Sequence, residues 1–378
     1  MKNWDTIFKR IIMCSLVALA SHSTYGTIFL AVSFEDGSID IYEQKNNNLK
    51  PISATKCFAS IRSIAISKKN RAIATASTSR ATAGGLCIWE NTDKGLRMTQ
   101  KLYKRDHSFA PFPTSVTYNK DGMLISGFFD GTIRTWEQKK DGQFKLKQMI
   151  DKNFAGHHTA PISSVACNKD GFLITRSGDR VIKIWQPKNG LFYLKQTANI
   201  DFVPYLSLVA FDNTEFLASE SEEDNTIKIW QLNGDNQFKL FQELDNNSHN
   251  NSIKLTAIAI NKDGVLVVGY SNGTIKIWEQ KRTNNQFELV QTLDKNCNGH
   301  ASEITSLTLK DGFLLSGSKQ GEIKIWEKYG QFQIKKTMHT KQSSHSEVRA
   351  SGLISNLDTF KPKLLNNTNY TDLKIKLK

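Results

Sequence analysis

Short runs of alternating apolar and polar residues recur along the chain, separated by turn residues. The segment Ile304 to Leu309 alternates, Lys310-Asp311-Gly312 reads as a tight turn, and Phe313 to Ser318 is a second run. Lys319-Gln320-Gly321 turns again, Ile323 to Trp326 is a third run, and Phe332 to Thr337 a fourth. Period-two alternation broken by Asp-Gly predicts antiparallel hairpins. Asp-Gly recurs at 121–122, 170–171, 263–264 and 311–312, and no stretch holds a helical period. Each such unit predicts a four-stranded meander.

The unit is repeated. Gly131 to Trp136, Val181 to Trp185, Asn225 to Trp230, Gly273 to Trp278 and Gly321 to Trp326 are copies of one another. Leu86-Cys87-Ile88-Trp89 is a weaker copy, and Gly37 to Tyr42 carries tyrosine in place of tryptophan. The aromatic positions 42, 89, 136, 185, 230, 278 and 326 lie about 47 residues apart, a period typical of circular repeat folds. A sheet of four short strands buries little by itself, whereas sheets packed face to face around an axis bury both faces and leave only short edges. The third strands, apolar apart from a lysine in Ile-Lys-Ile-Trp, fit that packing, with the lysine stem buried and its ammonium expected to reach water.

At these residues the chain resembles the WD40-repeat family. The resemblance covers residues 27–355 and implies an all-β fold: a seven-bladed β-propeller of four-stranded antiparallel blades. It also implies a hydrogen-bonded network of His, Ser or Thr, Asp and Trp. His107, Ser126, Asp130 and Trp136 match in the third copy, and His157, Thr175, Asp179 and Trp185 in the fourth. His249, His300 and His345 also fit the opening position. The residue six before the aromatic is Asp36, Ala83, Asp130, Asp179, Asp224, Asn272 and Gln320 in turn, and the closing aspartate is Glu or Gln throughout. The first copy lacks an inner strand, and His345 to Leu353 parallels His300 to Thr308. Arg349 to Ser355 is therefore expected to insert as the inner strand of the first blade and close the ring.

Composition changes this picture only at the ends. Residues 1–20 combine Lys2, Lys9 and Arg10 with the apolar stretch Ile11 to Ala20, and Ala18-Leu19-Ala20 suits cleavage before Ser21. This is the pattern of an export signal, and it predicts an extracytoplasmic or secreted protein. If the signal is not used, the protein is expected in the cytoplasm. Ten apolar residues are too few to span a bilayer, so no transmembrane segment is expected in the mature chain. Residues 356–378 form a basic, Asn-rich tail expected to be disordered.

Cys57, Cys87, Cys167 and Cys297 follow no metal-binding spacing and read as free thiols. No nucleophile elbow, phosphate loop or zinc motif occurs, so no catalytic, metal or cofactor site is expected. Equivalent aspartates in successive copies read as turn residues.

The family commonly binds partners on one face of the ring. That implies candidate contacts at Arg80, Phe109, Phe112, Phe129, Phe202, Tyr205, Tyr270 and Lys319, and a scaffold for a protein or peptide. Two other classes stand beside it. A secreted propeller enzyme or glycan binder would need converging acids or a metal at the central opening. A nucleic-acid or anionic-surface binder would use the net charge of +14, which is spread over every copy rather than gathered in one run. Asn246, Asn250, Asn272, Asn366 and Asn369 head glycosylation sequons, relevant only in a glycosylating pathway.

Overall fold

The protein is described from a computed structural model. It describes residues 28–34, 38–45, 48–56, 61–67, 72–77, 85–92, 95–104, 111–199 apart from 169 and 180, 209–211, 216–220, 226–244 apart from 234–236, 253–339 apart from 262 and 311, and 348–355. The export signal, the basic tail, His107, Asp224, His249 and His345 lie outside the described residues.

The strands follow the turn punctuation of the sequence. They are β1 (Ile28–Phe34), β2 (Ser38–Lys45) and β3 (Asn48–Lys56); then β4 (Ile61–Ser67), β5 (Ala72–Ser77), β6 (Gly85–Thr92) and β7 (Gly95–Lys104). Next come β8 (Pro113–Tyr118), β9 (Leu124–Phe128), β10 (Ile133–Gln138) and β11 (Phe144–Ile150), then β12 (Ile162–Cys167), β13 (Leu173–Ser177), β14 (Val181–Lys188) and β15 (Leu191–Asn199). They are followed by β16 (Val209–Phe211), β17 (Phe216–Glu220), β18 (Ile227–Leu232) and β19 (Phe238–Leu244). The last are β20 (Leu255–Ile260), β21 (Val265–Tyr270), β22 (Ile275–Gln280), β23 (Phe287–Leu293), β24 (Ile304–Lys310), β25 (Phe313–Ser318), β26 (Glu322–Tyr329), β27 (Gln331–His339) and β28 (Val348–Ser355). No helix among the described residues is long and apolar enough to cross a membrane.

The blade count departs from the expected seven. Six blades are each built whole from four consecutive strands: β4–β7, β8–β11, β12–β15, β16–β19, β20–β23 and β24–β27. The remaining sheet is a composite, ordered β28-β1-β2-β3, so the chain encodes six complete blades and one sheet assembled from its two ends. In that sheet β28 runs antiparallel to β1, from Ile28 opposite Ser355 to Phe34 opposite Val348. Inner strands β4, β8, β12, β16, β20, β24 and β28 each touch the next, and β28 touches β4.

The core lies between sheets rather than within one. Ala74, Leu86 and Ile88 of one blade pack with Val116, Leu124 and Trp136 of the next. Ile125 and Ile133 pack in turn with Ile162, Leu173 and Trp185, and Val267 and Ile277 with Leu307, Leu314 and Trp326. This explains the apolar third strands: both of their faces meet protein. In every sheet the register slips by one residue immediately before the aromatic, at Ile41/Tyr42, Ile88/Trp89, Thr135/Trp136, Ile184/Trp185, Ile229/Trp230, Ile277/Trp278 and Ile325/Trp326. Such a bulge re-aims one side chain while the ladder continues.

Candidate binding face and the network beneath it

Four of the whole blades present, within the described residues and at one end, the residue before the first strand and the turn between the second and third strands. One backbone hydrogen bond joins the two in blade after blade. The N–H of Phe129 donates to the carbonyl of Phe112 at 2.9 Å, Gly178 to Pro161 at 3.0 Å, Ser271 to Lys254 at 2.8 Å and Lys319 to Glu303 at 2.9 Å. The main chain is therefore the same at each site, and the side chains differ. Phe112 and Phe129 stack, with ring centroids 4.7 Å apart and planes 24° apart. The Arg62 guanidinium lies 5.9 Å from the centre of the Phe112 ring. At another blade the Lys319 ammonium, well exposed, sits 3.3 Å from the Glu303 carboxylate.

Turn glycines lock this face together. Gly131 has φ +83°, and a Cβ there would lie 2.8 Å from the His158 carbonyl and 2.9 Å from that of Ala160. The turn of one blade is thus pressed under the loop that opens the next, where only glycine fits.

The candidate contacts separate on this geometry. Phe129 is half-buried and Lys319 exposed. Phe112 is 5% exposed and Tyr270 1%, so these two are packing residues rather than surface contacts. Tyr270 is buried in the core shared with the preceding blade, in one cluster with Ile227, Ile229 and Leu244, and Lys276 lies 5.5 Å from the centre of its ring. Arg80, Phe109, Phe202 and Tyr205 lie outside the described residues.

The buried network runs through His158, not His157. The Trp185 indole N–H donates to Thr175 Oγ1 at 2.8 Å, Thr175 Oγ1 lies 2.8 Å from His158 Nε2, and His158 Nδ1 lies 2.8 Å from Asp179. With the hydroxyl taking the indole proton, its own proton is free to point at Nε2, and the imidazole carries its hydrogen on Nδ1 toward the carboxylate. His157 instead places Nδ1 3.2 Å from the Phe154 carbonyl. The distance to the next strand accounts for the difference. His158 and His300 both stand four residues before the inner strands that open at Ile162 and Ile304, so counting back from the strand finds the residue that the Gly-His pair misplaces.

The blade ending in Trp326 reaches the same arrangement by another route. The Trp326 N–H donates to Ser316 Oγ at 2.9 Å, and His300 Nε2 lies 2.7 Å from that oxygen. Gln320 occupies the position of Asp179, but Glu322 brings a carboxylate oxygen within 2.7 Å of His300 Nδ1. The blade of Ser126 differs: that hydroxyl donates to the carbonyls of Ser115 and Gly127. Asp130 there accepts from the N–H and hydroxyl of Thr132 and lies 3.5 Å from Arg134. Trp136 is nevertheless buried in the seam.

Two of the strand lysines, Lys183 and Lys324, are buried and do not reach water as expected. Lys183 donates to the carbonyls of Gly156 and His157 at 2.9 and 2.6 Å, and Lys324 to those of Asn298 and Gly299 at 2.9 and 2.8 Å. Each ties down the loop carrying the network histidine. The loop carbonyls, left without strand partners, supply the acceptors that make burying a lysine tolerable.

Burial holds the His158 imidazole below its ordinary value of 6.5, against the pull of Asp179. Burial pushes the Asp179 carboxyl up, but the hydrogen bond and charge of His158, the Thr159 N–H and Lys183 outweigh it and leave it lowered. The unfolded chain therefore takes up a proton near pH 6.5 that the folded histidine refuses, so this site loses stability as pH falls from there toward the folded value. The urea midpoint is expected to drop between pH 7.5 and 5.5, and less steeply in His158→Gln. An identical slope in that variant would assign the drop to other groups.

Four stretches of the chain, residues 100–137, 149–186, 239–279 and 288–327, match the WD40 family profile described as "WD domain, G-beta repeat". A crystal structure of a protein from Lactobacillus plantarum superposes with a TM-score of 0.69 over 88% of this chain and 100% of that one, at 11% identity. That likeness concerns the fold. No curated protein matches the sequence.

Proposed function

This chain is a WD40-repeat β-propeller, and from that premise we propose that it is a non-catalytic platform that binds a protein or peptide on the face described above. The observation that carries this reading is the repeated backbone bond with unlike side chains on it: Phe112 and Phe129, Pro161 and Gly178, Lys254 and Ser271, Glu303 and Lys319. A rigid frame holding a different pair at each blade is what specific surface recognition needs, because preorganised groups lose little entropy on binding. Phe129, seated on Phe112 and still partly open to solvent, is the apolar anchor. Part of the basic charge is paired with acid: Lys139 and Lys147 with Glu137, Lys328 with Glu279 and Lys335 with Glu327.

Affinity capture with the mature chain and mass spectrometry tests this. Phe129→Ala is expected to weaken retention about ten-fold or more with little change in melting. Phe112→Ala is expected to cost about 3 kcal/mol of stability, as a buried ring should. Asp121→Arg, in the turn at the opposite end of the same blade, is expected to leave capture intact. Retention that survives Phe129→Ala, or that falls equally with Asp121→Arg, would remove this face as the binding surface. The reading includes export of the chain: native protein should begin at Ser21, and one beginning at Met1 would place it in the cell interior.

A further inference from the structure

The outer rim of the ring is a row of fourth strands, each hydrogen-bonded to a third strand on one side only. A strand with one open edge invites pairing with another segment, and lysine on it is a common protection. Arg97 lies in β7, Lys145 in β11, Lys195 in β15, Lys239 in β19 and Lys335 in β27, and the sequence of β3 holds Lys50. β23, Phe-Glu-Leu-Val-Gln-Thr-Leu, has neither lysine nor arginine. Its Leu289, opposite Trp278, is 47% exposed. Glu288 beside it is exposed as well and stands opposite Glu279. Lys328 holds Glu279 at 2.7 Å, whereas Glu288 has Lys281 at 3.7 Å, a solvent-exposed pair of little strength. Among the described residues no strand pairs with the outer edge of β23.

An occupant of this edge must be extended, apolar on one face and basic on the other. The chain contains such a segment outside the described residues: Leu373-Lys374-Ile375-Lys376-Leu377. In a strand, Leu373, Ile375 and Leu377 fall on one face and Lys374 and Lys376 on the other. With Ile375 opposite Leu289, a lysine stands opposite Glu288 whichever way the segment runs, so each face gains a favourable cross-strand pair. Residues 356–372, fully extended, span up to about 55 Å, while a folded domain of about 330 residues is about 50 Å across. The segment therefore reaches the rim. Tethering holds it near this edge at an effective concentration on the order of a millimolar, above that of any rim strand of a second copy in dilute solution.

We propose that residues 373–377 add to the outer edge of β23 as a fifth strand, fastening the C-terminal tail to the rim of its own ring.

Hydrogen exchange with mass spectrometry compares the full-length protein with a chain ending at Asp372, which keeps β28. Loss of residues 373–378 should speed exchange of the peptide covering β23 about five-fold and leave the β11 peptide unchanged. Lys374→Glu with Lys376→Glu in the full-length chain should do the same, and so should Leu289→Lys, whereas Leu240→Lys in β19 should not. Zero-length coupling of carboxylates to amines should join Glu288 to Lys374 or Lys376 within monomers. A β23 peptide indifferent to the tail variants, or a change spread equally over all rim strands, would overturn the proposal. Coupling found only in dimers would assign the edge to a second copy and overturn it too. If the chain ending at Asp372 does not fold, the charge-reversed full-length chain decides by the same measurement.

Discussion

Truncation after residue 344 is expected to abolish cooperative folding of the ring. The lost segment contains β28, which makes seven register pairings with β1 and touches β4 and β24. At roughly 1 kcal/mol for each ladder hydrogen bond, the pairing alone is worth on the order of 7 kcal/mol, comparable with the whole stability of a domain. The truncated chain would also expose the edge of β1, an unpaired strand that invites aggregation. Circular dichroism melting and sedimentation measure both effects. A peptide of residues 345–378 added in trans should restore part of the transition. A truncated protein that stays monomeric and melts at the parental temperature would show that the ring closes without its last strand.

The second large effect is expected at a single hydroxyl. Thr175→Val keeps the shape of the side chain and removes the oxygen that accepts from Trp185 and meets His158 Nε2. Both partners are buried, and each polar group stranded without water or a partner costs about 1–3 kcal/mol. The expected loss is therefore about 2–6 kcal/mol, which for a chain of this size is a visible fall in melting temperature. Ser316→Ala should behave alike in the other blade, since Ser316 joins Trp326 to His300. Ser126→Ala should cost less, near 1 kcal/mol, because its hydroxyl donates to main-chain carbonyls. Urea unfolding of the three variants ranks them. Equal losses at Thr175, Ser316 and Ser126 would show that the hydroxyl matters only for local strand packing. The hydrogen-bonded chain would then contribute nothing of its own.

Strand positions and their pairing partners were legible from residues alone, because a period of two and a turn dipeptide are local properties. So was the tryptophan mark, since a bulge and an apolar third strand recur at fixed distances from it. The network was legible in its residue types but not in its register. His157 and His158 are adjacent and chemically equal, and only the path of the loop decides which ring turns inward. The same is true of Phe112 and Phe129, identical side chains of which one is roofed by the other.

Fourth-strand glutamines bond both main-chain groups of a phenylalanine in the next sheet, as Gln100 does with Phe144 and Gln148 with Phe192, and this pairing had a sequence signal that single-copy reading overlooks. A glutamine stands 41 to 45 residues before a phenylalanine five times over, a distance that has meaning only once consecutive sheets are known to be neighbours. The compensation of Gln320 by Glu322 was hidden for a similar reason: a carboxylate two residues along reaches the same nitrogen only if the strand start points it there.

The amino-acid sequence by itself determined the repeat, the strands and the apolar faces, all of which follow from side-chain chemistry over a few neighbouring residues. The tertiary structure alone decided which histidine is buried, which lysines are held by loop carbonyls and which aromatic ring remains on the surface. Those outcomes depend on contacts between segments tens of residues apart, where the partner's position, and not the residue's own identity, sets the energy.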